Sequence, residues 1–152
     1  MRKVTNYIVI HCSATHKNMD IGAKEIRRWH TDKGWSDIGY HSVIRRDGEI
    51  EEGRDYHAIG SHVKGHNFES VGVCLVGGAD RDGDPENNFT PAQWKSLRRE
   101  IQWLRTLFPK ALVVGHRDLS PDLNGDGVIT PDERIKECPS FEVKDWLKEN
   151  HL

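Results

Sequence analysis

Apolar residues along this chain fall into short dense runs and two longer periodic stretches, with polar, glycine-containing segments between them. Residues 7–10 (YIVI) read as a buried strand that ends at His11. Residues 23–32 read as a helix with Ile26 and Trp29 on one face and Gly34 just past its end. Residues 40–45 and 49–51 flank Arg46-Asp47-Gly48, a turn signal that predicts a hairpin. Residues 71–76 form a second buried run, stopped by Gly77 and Gly78.

A polar loop over residues 81–88 precedes the plainest helix start in the chain. Thr90 is placed as N-cap, Pro91 at the first helical position and Gln93 at the third. Trp94, Leu97, Ile101, Leu104 and Phe108 then recur at helical spacing, a core stripe closed by Pro109. Residues 112–114 make another short strand, running into Gly115-His116. Ser140 is expected to cap a last helix through Glu149, buried through Val143, Trp146 and Leu147.

Strands and helices alternate, so the expected fold is α/β: a single domain with a central mixed β-sheet flanked by helices. His11 and His116 both stand at C-terminal ends of predicted strands. That edge is where ligands bind in open α/β sheets, so the two histidines can converge there.

Composition narrows the classes. The 152 residues carry 22 basic and 24 acidic side chains, a near balance that argues against a nucleic-acid footprint. A chain of this length buries about 70% of its unfolded surface and needs no disulfides. The three cysteines give no disulfide framework, and Cys12 and Cys74 lie in apolar runs as small core residues. The N-terminus begins basic and turns apolar, but YIVI is too short for a signal segment, so synthesis in the cytoplasm is expected. No stretch approaches a membrane span, and membrane insertion is not expected.

The last third holds two possible metal chemistries. Residues 122–133 match the calcium-loop pattern D-x-[DN]-x-[DN]-G-x5-E at every specified position. Asp122, Asn124 and Asp126 would supply oxygens, Val128 its backbone carbonyl and Glu133 both carboxylate oxygens, with Gly127 at the turn. Pro121 forbids an ordinary entering helix. Thr130, Pro131 and Glu133 announce an exit helix, so the expectation is half an EF-hand. His116 and Cys138, both good zinc ligands, flank this loop, and ordering it would fix them relative to each other. The chain has nine histidines, and His57, His62 and His66 cluster in one loop. Composition and spacing alone do not choose the ligands among them.

Several long motifs in order carry a resemblance over nearly the whole chain. They are IVIHCSAT (residues 8–15), EIRRWHTDKGWSDIGYH (25–41), IRRDG (44–48), GSHVKGHNFESVGVCLVGG (60–78), NFTPAQWKSLR (88–98), VVGHRD (113–118) and KECPSF (136–141). The chain resembles the type-2 N-acetylmuramoyl-L-alanine amidases, above all the small phage lysozymes of that activity. The resemblance implies zinc on His11, His116 and Cys138, which leaves a fourth position open as catalytic zinc sites do. It implies Tyr40 and Lys136 as catalytic residues; beside them, His62 is a candidate substrate contact.

That residue set suits amide hydrolysis. Zinc lowers the pKa of water toward about 7 and polarises a carbonyl. Lys136 can stabilise the charge that builds on the carbonyl oxygen, and Tyr40 can orient the attacking water and relay its proton.

The implied function is cleavage of the bond between N-acetylmuramic acid and L-alanine in peptidoglycan. The implied setting is a monomeric phage or prophage endolysin that reaches the wall on lysis. A cytoplasmic muropeptide-recycling amidase is a second reading; that branch tends to carry aspartate as third ligand, and Cys138 speaks against it. A binding-only peptidoglycan recognition module tends to lack the cysteine ligand. A calcium-sensing interaction protein would need the missing entering helix. The residues 122–133 insertion departs from the small phage enzymes, where the interval between last histidine and cysteine is short.

Overall fold

The computed structural model describes residues 1–134 and 136–152. In chain order the elements are β1 (Tyr7–Cys12), β2 (Thr15–His16), α1 (Ala23–Asp32), β3 (Ser42–Ile44), β4 (Ile50–Glu52), β5 (Ser70–Leu75), β6 (Gly78–Ala79), α2 (Pro91–Leu107), β7 (Leu112–Gly115) and α3 (Val143–Glu149). Five strands make the central sheet in the order β4-β3-β5-β1-β7, and β2 and β6 form a small separate pair. The β3–β4 hairpin is antiparallel and every other neighbour in the sheet is parallel, so the sheet is mixed as expected.

The period-two alternation of β1 divides the core. Ile8, Ile10 and Cys12 face α2 and α3, where they pack with Val73, Leu75, Leu97, Ile101, Leu104 and Val143. The opposite face packs Val43, Cys74 and Val76 against Ile21, Ala23 and Ile26 of the α1 side. Helices therefore cover both faces, as a largely parallel sheet requires. Among the described residues no helix is long and apolar enough to cross a membrane.

Helix α2 starts as its sequence dictates: the Thr90 hydroxyl accepts the Gln93 N–H at 3.1 Å and the Gln93 side chain accepts the Thr90 N–H at 3.0 Å. Four expectations need correction. Trp29 is exposed, and the buried stripe of α1 is Ala23, Ile26 and His30, whose Nδ1 is held inward as the acceptor of the Gly39 N–H at 2.8 Å. Tyr40 precedes β3 and is not part of it. Ser140 does not cap α3: Glu142 is the N-cap, and the Ser140 hydroxyl donates to the Gly78 carbonyl at 2.9 Å. The exit helix after the acidic loop is one 3-10 turn, Pro131–Glu133, ended as Arg134 turns extended.

Candidate metal centre and active site

Parallel register sets the site. Ile10 of β1 pairs with Gly115 of β7, so His11, the next residue of β1, and His116, the first residue past β7, stand side by side near the C-terminal edge of the sheet. Their ring centroids lie 4.7 Å apart. Cys138 arrives from the later loop: its Sγ is 3.8 Å from His11 Nδ1 and accepts the Cys12 N–H at 3.1 Å. One ligand atom each from His11, His116 and Cys138 lies within 4.8 Å of the others.

These residues fit a zinc ion. Two imidazoles and a thiol are its ordinary donors. Burial holds the His11 ring well below its usual pKa, with neighbouring His62 and His116 adding to the effect. Burial, then the Lys136 charge, lowers His116 to about 4. Both rings are therefore neutral at pH 7, the form that binds metal. Burial pushes the Cys138 thiol up in the metal-free protein, and a coordinated cation would reverse that. The Cys12 N–H aimed at Sγ favours the thiolate.

The backbone clamps two of the three donors together. The Arg117 N–H donates to the Cys138 carbonyl at 2.9 Å. Around that bond Arg117 pairs with Glu137 at 3.6 Å and Glu142 at 3.2 Å, and Arg134 with the same carboxylates at 3.8 and 3.3 Å. Nothing in the sequence pattern singled out this network; its signal was only alternate charges around His116 and Cys138.

Tyr40 stands beside the trio, its ring centroid 5.0 Å from that of His11. Burial, followed by the nearby cysteines, raises its hydroxyl well above its ordinary pKa, so it is a hydrogen-bond donor at neutral pH. Lys136 is exposed, and its charge reaches both His11 and His116. His62 stands behind His11, its Nδ1 2.8 Å from His11 Nε2.

The acidic loop curls on itself. Asp122 accepts the N–H groups of Gly125 and Gly127 at 2.9 and 2.7 Å, Asn124 that of Asp126 at 3.1 Å, and Asp126 that of Val128 at 2.9 Å. Glu133 is buried: Oε1 accepts the Thr130 N–H at 3.0 Å and its hydroxyl at 2.9 Å, and Oε2 the Leu123 N–H at 2.5 Å. Oxygens of Asp122, Asp126 and Glu133 come within 4.8 Å of one another.

Comparison with known proteins assigns the chain to a family. The family described as N-acetylmuramoyl-L-alanine amidase matches residues 1–140. The chain belongs to that family. It is 49% identical to the endolysin of Enterobacteria phage K11 and 44% identical to that of Escherichia phage T7, in each case over 99% of this chain and 91% of the relative. Among solved structures it is similar to the amidase LysC from Clostridium intestinale URNW, at a TM-score of 0.73 and 27% identity. That match covers 97% of this chain and 86% of LysC.

Proposed function

We propose that the protein is a zinc-dependent amidase that hydrolyses the bond between N-acetylmuramic acid and L-alanine in peptidoglycan, acting as a phage or prophage endolysin on the cell wall. The observation that carries this reading is the meeting of His11, His116 and Cys138 with Tyr40 and Lys136 at one sheet edge. Family membership and endolysin relatives over nearly the full length support it. A binding-only module would have no use for a thiol donor beside a neutral histidine pair.

His11, His116 and Cys138 would hold the zinc. Bound there, zinc supplies a Lewis acid for the scissile carbonyl and a means of making water nucleophilic near neutral pH. The chain's own residues do the rest. Tyr40, protonated, donates a hydrogen bond to a polar group entering the site and orients it. Lys136, solvated but close to both histidines, meets the negative charge that develops on the carbonyl oxygen. The Arg117–Cys138 hydrogen bond and the arginine–glutamate network hold the donors in place before substrate arrives. The test is zinc content together with the chemistry of the ends released from peptidoglycan.

A structural calcium ion in the residues 122–133 loop belongs to the same reading, on the strength of the complete sequence pattern. Asp122, Asn124, Asp126, the Val128 carbonyl and Glu133 would be its ligands. It would act on the loop and not on the cleavage. The domain would act as a monomer, with residues 122–133 as an insertion in one amidase unit spanning 1–152.

A further inference from the structure

We propose that His62 and Ser70 fix the tautomer of His11, so that its Nδ1 is the bare nitrogen presented to the metal. This rests on the zinc reading above. The juxtaposition is a chain of three hydrogen bonds running away from the site.

The direction of the chain follows from its far end. The Ser70 hydroxyl lies 2.8 Å from the His66 carbonyl oxygen. A carbonyl can only accept, so Ser70 must donate there; otherwise two bare oxygens would face each other at hydrogen-bond distance. The hydroxyl has spent its one proton and can only accept from His62 Nε2, 3.3 Å away. His62 Nε2 therefore carries hydrogen. A neutral imidazole carries hydrogen on only one ring nitrogen, so with Nε2 occupied its Nδ1 is bare. Nδ1 then accepts from His11 Nε2 at 2.8 Å. His11 carries its hydrogen on Nε2, and its lone pair on Nδ1 faces Cys138 Sγ.

The surroundings are built for this ring. A Cβ on Gly72 of β5 would stand 2.7 Å from His62 Cγ and Nδ1, and one on Gly60 would stand 2.8 Å from His62 Cδ2. Glycine weakens a strand interior, and here it makes room for the imidazole to reach β1. His41 cannot compete for His62: its Nδ1 accepts the Gly72 N–H at 2.9 Å and its Nε2 faces the Ala58 carbonyl at 2.9 Å. His62 and Ser70 are thus positioning residues that act through His11. Such partners of metal-binding histidines set ring orientation and basicity.

The decisive experiment is nitrogen-edited NMR of the histidine rings in the zinc-loaded wild-type protein. The expected result is hydrogen on Nε2 of both His11 and His62. Hydrogen on His62 Nδ1, or on His11 Nδ1, overturns the proposal. Zinc affinity, measured by competition with a chromophoric chelator, provides a second readout. His62→Ala should bind zinc about 10–100-fold more weakly. His62→Asn, which returns an oxygen acceptor close to the place of Nδ1, should recover most of that loss. Unchanged affinity in His62→Ala, or no recovery in His62→Asn, overturns the proposal while leaving the amidase reading intact. A wild-type protein that takes up no zinc defeats both; should His62→Ala fail to fold, the wild-type tautomers decide alone.

Discussion

The Arg117 N–H donates to the Cys138 carbonyl at 2.9 Å, tying the residue after one candidate ligand to the backbone of another. The acidic loop between them hangs from a base that is already closed. The sequence suggested that ordering this loop would set His116 against Cys138. The hydrogen bond and the Arg117, Arg134, Glu137 and Glu142 pairs do so without it. Loop and metal centre are therefore expected to respond separately.

Cys138→Ser tests the donor set. A neutral hydroxyl replaces a thiolate, so zinc affinity should collapse and amidase activity with it. Equilibrium dialysis against zinc reads the first and release of stem peptides the second. A Cys138→Ser protein with wild-type zinc content would remove the thiol from the centre.

Tyr40→Phe and Lys136→Ala separate helpers from ligands. Both variants should keep the fold and about one zinc per chain, yet lose about 10²–10³-fold in rate. Binding to intact peptidoglycan should survive. Loss of zinc from Lys136→Ala, with normal turnover once zinc is restored, would contradict its role on the carbonyl oxygen.

Calcium should stabilise the loop without touching the chemistry. At a hundred times the dissociation constant the gain is about 2.7 kcal/mol. Asp126→Asn should abolish it while keeping the acceptor for the Val128 N–H. Glu133→Gln is the harsher change, because Glu133 also holds Leu123 and Thr130. Melting curves of zinc-loaded protein with calcium, with magnesium and with neither decide it: superimposable curves mean an acidic turn. A large change in zinc affinity on adding calcium would contradict the independence of the two sites.

Acid should destabilise the metal-free protein in a defined window. Burial, partly offset by the Ala58 carbonyl, lowers His41 from the ordinary 6.5 to about 4. The folded state prefers the neutral ring, so this stabilisation is whole above pH 6.5 and is lost as pH falls toward 4. One such group is worth roughly 3 kcal/mol over that window. Protonation also breaks the bond from the Gly72 N–H to Nδ1. Denaturant curves at pH 7 and pH 4.5 should show a smaller fall for His41→Asn than for wild type; equal falls would mean the ring titrates without consequence.

Much of the fold was legible because it rests on local rules. The Thr90-Pro91-Gln93 start of α2, the hairpin around Gly48 and the apolar runs of β1 and β5 write their elements into the sequence. The errors lie where tertiary contacts override local signals. Ser140 looks like a cap, but its hydroxyl serves the Gly78 carbonyl. Trp29 looks like core, but α1 turns it outward. His11 and His116 could be placed on strand ends by pattern; their meeting depends on β1–β7 register, which no local pattern encodes. Ser70 and Gly72 lie within a motif that carries the resemblance but signalled no role of their own, since a serine and a glycine in a strand acquire meaning only from the ring packed on them.

The central claim is a zinc-dependent cut at one amide. Peptidoglycan digested with zinc-loaded protein should yield new amino termini that are all L-alanine, with no new reducing sugar ends. Protein stripped of zinc should yield none, and adding zinc back should restore them. Loaded protein that exposes no L-alanine termini, or stripped protein that releases them undiminished, would contradict the account.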